Sequence, residues 1–236
     1  MRAPRLELPA DPTIDRLPDT IRLAIGKHWM HRASAELGVA CAFDAFVPRL
    51  RDVGAADVVV ALGVKAIEDE RRHGELCVRL AERYLGEAMD APPPRYESLQ
   101  SFGTGDEPTE VALIALGMCC INESIASEWI RSCWQVARAR AAVAANKHHL
   151  KDEIDHARLG WAHLASSALG PALRRRLRPW IAESIAVNVA EWKRPDPFLP
   201  EEGVPAHGHL SREENHAVID AAVRDVVVPG LAHVGL

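Results

Sequence analysis

The sequence predicts an all-α protein in which four long helices form two antiparallel hairpins joined by a long crossover, with further helices after them. Three observations predict it. Alanine and leucine dominate the 236 residues, aromatic residues make up 5% and only two are tyrosine, a balance that favours helix over strand. Apolar residues recur at three- and four-residue steps over long stretches. One segment rich in proline and glycine, residues 87 to 108, cuts the periodic region in two. With 48% apolar and 26% charged residues, the chain has the composition of a globular protein able to bury a core.

Pro18 and Asp19 precede the first helix, residues 20 to 51, whose apolar positions include Ile21, Ile25, Trp29, Ala33, Leu37, Ala40 and Phe43. Gly54 interrupts the pattern. A second helix covers 56 to 85, where Gly86 can stop it. After the crossover, the third helix runs from 109 to 136, with Thr109 or Asp106 as its cap, and the fourth from 141 to 167. No glycine or proline lies between Trp134 and Asn146, so the turn there is inferred from the need to return the chain. Gly170-Pro171 open a fifth helix ending near Trp192, and the irregular stretch KRPDPFLPEEGVPAHGHL follows. Ser211 and Glu214 form a capping-box pattern at the start of a last helix, 211 to 226. The expected organisation is an N-terminal extension (1–17), a four-helix bundle (18–168) and a C-terminal helical extension (169–236) that packs on the bundle, as a lid or a dimer contact.

A net charge of −5 gives no electrostatic case for nucleic acid. The Arg174, Arg175, Arg176, Arg178 run reads as a solvated helix face. Five cysteines, Cys41, Cys77, Cys119, Cys120 and Cys133, lack CxxC spacing and sit among apolar neighbours, as reduced core residues do. Without an apolar N-terminal region or an unbroken apolar run of about 18 residues, neither export nor membrane insertion is expected, and the expected location is cytoplasmic.

Polar clusters interrupt the apolar stripes where a core is expected. The second helix carries Glu70-x-x-His73 and the fourth Glu153-x-x-His156. Residues three apart share a helix face within roughly 5–6 Å, so each pair can offer a carboxylate oxygen and an imidazole nitrogen to one ion. The first and third helices add Glu36, beside Ala33 and Ala40, and Glu123, beside Cys119, Cys120 and Ala126. A buried carboxylate needs a cation, a proton or a hydrogen-bond donor. Glu36 precedes Glu70 by 34 residues and Glu123 precedes Glu153 by 30. At about 1.5 Å per residue, up-and-down pairs with these separations return both glutamates to one level, giving six ligands at one depth.

One glutamate from each of two helices and Glu-x-x-His from each of two others resembles the ferritin-like dinuclear iron carboxylate superfamily. The resemblance covers residues 18 to 168. It implies a ferritin-like bundle holding two iron ions, with manganese or a mixed Mn/Fe pair as alternatives, on Glu36, Glu70, His73, Glu123, Glu153 and His156. The four glutamates would be the catalytic ligands, shifting between chelating and bridging modes. The implied activity is reduction of dioxygen coupled to oxidation of a small organic substrate, of mono-oxygenase or N-oxygenase type. By the same resemblance Asp69 would orient His156 and Asp152 would orient His73. His149 falls in one stripe with Glu153 and His156, and His-x-x-x-Glu-x-x-His looks like the p-aminobenzoate N-oxygenase family, in which it would be a third nitrogen ligand; the likeness is confined to ligand spacing, and the chain is shorter than that family. The adjacent His148 would point elsewhere. No rubredoxin-like cysteine pairs occur, so the electron donor would be a separate protein, and a homodimer is expected. The small residues Ala40, Cys119, Cys120, Ala126 and Ser127 read equally as a substrate pocket or as close helix packing. A ferroxidase or iron-handling protein and a metal-free helical interaction module are the alternatives.

Overall fold

The computed structural model describes residues 7–96, 98–99 and 101–236. Its helices are α1 (Asp19–Asp52), α2 (Asp57–Leu85), α3 (Glu107–Val136), α4 (Arg140–Ala165), α5 (Pro171–Trp192) and α6, which starts as Arg212–Ala222 and continues through Val228–His233. Among the described residues there is no strand, only an isolated bridge between Val204 and His209. The protein is all-α, a helical bundle with C-terminal helices, as the composition predicts.

Local chemistry sets the boundaries. Gly86 takes φ 79°, which a residue with a Cβ resists, and its N–H closes α2 on Glu82 O. Of the two candidate caps for α3, Asp106 serves: its side chain accepts from the Thr109 N–H. Ser211 and Glu214 make the reciprocal capping box at α6. The turn between α3 and α4 carries no glycine or proline because distant chain holds it. The amides of Arg138 and Ala139 both donate to Ala206 O, at 2.8 and 2.8 Å.

Two departures from a regular α-helix were not legible in the periodicity. Ala115–Asn122, inside α3, winds with the wider π-helical repeat, and so does Val223–Val227 in α6. Such turns displace the following residues around the axis and concentrate at functional sites. Here Glu123 is the first residue after the wide segment.

α1 packs along α2, α3 along α4, and α2 against α4, which joins the hairpins; α5 and α6 lie on α3. By length and composition α3 could cross a membrane, with mean hydropathy 1.4, but 83% of that stretch is buried inside the bundle. The crossover is tied to α1 close to the polar level, where Arg95 N donates to Ser34 O at 2.8 Å. Gly38 permits that approach, since a Cβ there would stand 3.2 Å from the Tyr96 amide.

Apart from a small third cluster of Ala137, Ala139 and Ala142, two large apolar clusters hold most of the core, with a polar belt between them. One contains Phe43, Phe46 and Leu50 of α1, Ile67 of α2, Ile121 and Ile125 of α3 and Leu159 of α4. The other contains Ile25, Trp29 and Ala33 of α1, Leu76, Leu80 and Tyr84 of α2, and Ala141 and Ala145 of α4. On α1, α2 and α4 the polar residues fall in the gap between the two.

α4 crosses the wide segment of α3 at Gly160, where α4 itself contributes no side chain. A Cβ on Gly160 would lie 2.6 Å from Cys119 Cβ, 2.8 Å from Cys120 Sγ and 2.9 Å from Ala115 O. Gly160→Ala should therefore cost about 1–3 kcal/mol of stability by overpacking. A urea titration monitored by circular dichroism reads this directly, and an unchanged midpoint would contradict the packing described.

Candidate metal centre

α1 brings Glu36 to the belt, α2 brings Glu70 and His73, α3 brings Glu123, and α4 brings Glu153 and His156. Their donor atoms form two sets, each with all atoms within 4.8 Å of one another: Glu36, Glu70, His73 and Glu153, and Glu70, Glu123, Glu153 and His156. Glu70 and Glu153 belong to both. The structure thus brings all six sequence-predicted residues to one level.

Each histidine turns Nδ1 inward. His156 Nδ1 lies 3.0 Å from Glu70 Oε1 and 3.1 Å from Glu153 Oε2, while His73 Nδ1 lies 3.5 Å from Glu70 Oε2 and 3.5 Å from Glu153 Oε1. Each outer nitrogen meets the aspartate of the other hairpin, His156 Nε2 with Asp69 Oδ2 at 3.3 Å and His73 Nε2 with Asp152 Oδ2 at 3.4 Å. An ionised carboxylate only accepts, so Nε2 carries a proton in each pair, and Nδ1, against the glutamates, is the nitrogen that an ion would take in place of a proton.

Behind the aspartates stands a cationic layer that the sequence reading missed. Lys65 Nζ lies 2.6 Å from Asp69 Oδ2 and 3.5 Å from Asp152 Oδ1, and Arg72 contacts both, reaching Asp152 Oδ2 at 3.2 Å. Their spacing from Asp69, four residues before and three after, was the available signal.

Burial and crowding set the protonation of this belt. Burial pushes Glu36 up to about 7, against the pull of Arg32 and with the help of Glu70 and Glu153. Burial, then the charges of Glu153 and Glu70, push Glu123 far above the ordinary carboxylate range. Burial would lower His73, but Asp152 and Glu70 raise it to about 10, and Asp69 and Glu153 raise His156 in the same way. Burial would also raise Glu70, yet the imidazoles of His156 and His73 beside it hold it below its ordinary value. Without cations, protons must stand in for them.

The buried atoms Glu70 Oε2 and His73 Nδ1 have no hydrogen-bond partner, and both face the shared interior. Oxygen and imidazole donors of this kind suit iron, manganese or zinc, and two unsatisfied donor atoms at the meeting point of two donor sets fit bound divalent ions. The buried Glu/His cluster can hold metal.

His149 lies outside both four-residue sets. Its ring centroid is 4.3 Å from that of His73, and it forms a third set with Glu36 and Cys77. The sequence reading left thiols out of the inferred cage, and the structure brings Cys77 to its edge. His148, expected to point elsewhere, is half-buried and stands edge-on to His73, with ring centroids 6.4 Å apart. Arg32, unremarked in the sequence, reaches Glu36 Oε1 at 3.1 Å and His149 Nδ1 at 3.2 Å. On the other side, Trp192 Nε1 donates to Asn122 Oδ1 at 2.8 Å, and Asn122 Nδ2 to Glu123 Oε1 at 3.5 Å.

A cavity of about 810 Å³ adjoins the belt, with Glu36, Glu70, Glu123 and Glu153 in its wall and Trp129 and Trp192 beside them. Of the five small residues proposed for a pocket, Ala126 lines it; Ala40, Cys119, Cys120 and Ser127 do not. Cys119 and Cys120 face Gly160 of α4, so they serve close helix packing instead. Much of the remaining wall comes from the proline-rich segment between α5 and α6, including Pro197, Leu199 and Leu210. No protein-family model, curated protein or solved structure matches the chain.

Metal ligands must be deprotonated, so ions compete with the protons that the metal-free belt holds. Because burial pushes Glu36 up to about 7 and Glu123 well above the ordinary carboxylate range, affinity for Mn(II) should rise with pH from about 6 to about 8, with protons released on binding. Calorimetry in buffers of different ionisation enthalpy measures the release, and pH-independent affinity would contradict this charge balance. Asp152→Asn keeps the shape beside His73 but removes the charge, and should weaken Mn(II) binding by about 10- to 100-fold.

Proposed function

We propose that this protein is a ferritin-like dinuclear iron oxidoreductase that reduces dioxygen and oxidises a small organic substrate, as a mono-oxygenase or N-oxygenase. The observation that carries the reading is the pair of buried donor sets sharing Glu70 and Glu153 beside an 810 Å³ cavity. Two ferrous ions, or manganese in place of one or both, would supply the electrons that dioxygen reduction requires.

The chain's own residues divide the work. Glu36 and His73 would hold one ion and Glu123 and His156 the other, with Glu70 and Glu153 touching both. Asp69 and Asp152 keep the ring protons on Nε2 and so present Nδ1 inward. The apolar clusters above and below the belt exclude water, and the cavity admits an organic molecule to the carboxylate side of the site. Iron storage alone would need no such space. The electron donor would be a separate protein and the working unit a homodimer.

The test is anaerobic loading of the whole chain with two equivalents of ferrous ion, mixing with oxygen, and stopped-flow absorbance. The wild type should give a transient chromophore, which Glu123→Ala should lose because one donor set then lacks its own carboxylate. An oxygenase retains its iron through repeated cycles of reduction and oxidation, whereas a ferroxidase releases ferric ion. A chain that takes up no ferrous ion and shows no spectral response to oxygen would return the reading to a metal-free helical interaction module.

A further inference from the structure

Arg32 stands one helical turn before Glu36 on α1, and its Nη2 faces two groups at once, Glu36 Oε1 at 3.1 Å and His149 Nδ1 at 3.2 Å. This is not a solvated surface pair. The Arg32 side chain is 11% exposed and that of Glu36 13%. The guanidinium carbon sits 4.8 Å from the Trp29 ring centroid and 5.0 Å from that of Trp129, an arrangement that holds a cation between two aromatic faces. Guanidinium is always charged in proteins and offers only donors.

Two consequences follow. A donor facing His149 Nδ1 requires a lone pair there, so the single proton of neutral His149 is on Nε2, which is buried and has no hydrogen-bond partner. The direction in which Nδ1 could coordinate is then taken by a cation that the chain itself supplies. Glu36, Cys77 and His149 bring their donor atoms within 4.8 Å of one another, as the two four-residue sets do, but Arg32 contacts two of the three. A divalent ion in that third set would stand against a fixed positive charge.

We propose that Arg32 is a positioning residue that fills the third donor set, keeping His149 out of metal coordination and confining ions to the two sets that share Glu70 and Glu153. The inference rests on the metal reading of the cage. It goes beyond that reading in removing the third nitrogen ligand that the spacing of residues 149, 153 and 156 suggests: each ion has one imidazole, and His149 supports Arg32 instead. Likeness to the N-oxygenase pattern then stops at the spacing.

Cobalt(II) loaded into the full chain provides a readout independent of activity, because imidazole N–H protons of coordinated histidines appear in proton NMR as exchangeable, strongly shifted signals. The wild type and Arg32→Lys, which keeps the cation, should give two, from His73 and His156. Arg32→Met frees His149 Nδ1 and should give three, returning to two in Arg32→Met/His149→Ala. Three signals in the wild type, or two in Arg32→Met, would overturn the inference and leave the dinuclear cage standing. No shifted signal in the wild type would overturn the metal reading and this inference with it. Should Arg32→Met not fold, His149→Ala alone decides: cobalt(II) affinity within about twofold of wild type is expected, and tenfold weaker binding is the contrary result. In the metal-free chain, long-range ¹H–¹⁵N NMR should find the His149 proton on Nε2; a proton on Nδ1 would refute the Arg32 contact.

Discussion

Four carboxylates within reach of one another in the interior of a protein repel, and little solvent reaches them to screen the repulsion. The rest of the structure answers that constraint. Charge alternates outward from the belt: glutamates inside, the imidazoles of His73 and His156 against them, Asp69 and Asp152 behind the imidazoles, then Lys65 and Arg72. Each layer compensates the one within it. The outermost layer, Lys65 and Arg72, is the most exposed and the layers within it are largely buried, so the alternation carries charge outward to a place where water takes over.

Such layering works only if four helices keep their register. The apolar clusters above and below the belt supply the clamp, since a slip along any helix would carry buried side chains such as Phe43, Leu76 or Leu159 into the polar level. α3 lacks the long polar motif of its neighbours and is placed by backbone irregularity. Its wide turns end at Glu123, and the same segment lies against Gly160, so the close approach of α3 to α4 and the aim of Glu123 arise from one packing arrangement.

What was legible in the sequence was whatever the helical repeat encodes. Glu-x-x-His in two helices and single glutamates at matching separation predict a common level, and the cross-hairpin roles of Asp69 and Asp152 came from the resemblance and agree with the geometry. What escaped depends on contacts between distant segments. Arg32, Lys65 and Arg72 look like ordinary surface cations until their partners on α4 are known. The wide turns in α3 leave no mark in a run such as ALGMCCIN, and the turn before α4 is held by Ala206, some seventy residues on. The small residues beside Glu123 read equally as space or as close packing, and only the contact with α4 at Gly160 decides for packing at Cys119 and Cys120; the open volume lies under a proline-rich segment whose folding the helical repeat does not predict.

The site has two unlike sides. The cavity wall contains all four glutamates and none of His73, His156, Asp69 or Asp152. The imidazole side is fixed by layered hydrogen bonds and closed by Lys65 and Arg72, while the carboxylate side meets open volume. Carboxylates can rotate between one-oxygen and two-oxygen contacts with little movement of the backbone, whereas an imidazole held at both nitrogens cannot. With ions bound, ligand rearrangement and access by small molecules would share one side of the belt. The segment between α5 and α6 forms much of the wall across that space, so the last part of the chain belongs to the site as fully as the four helices that carry its donors.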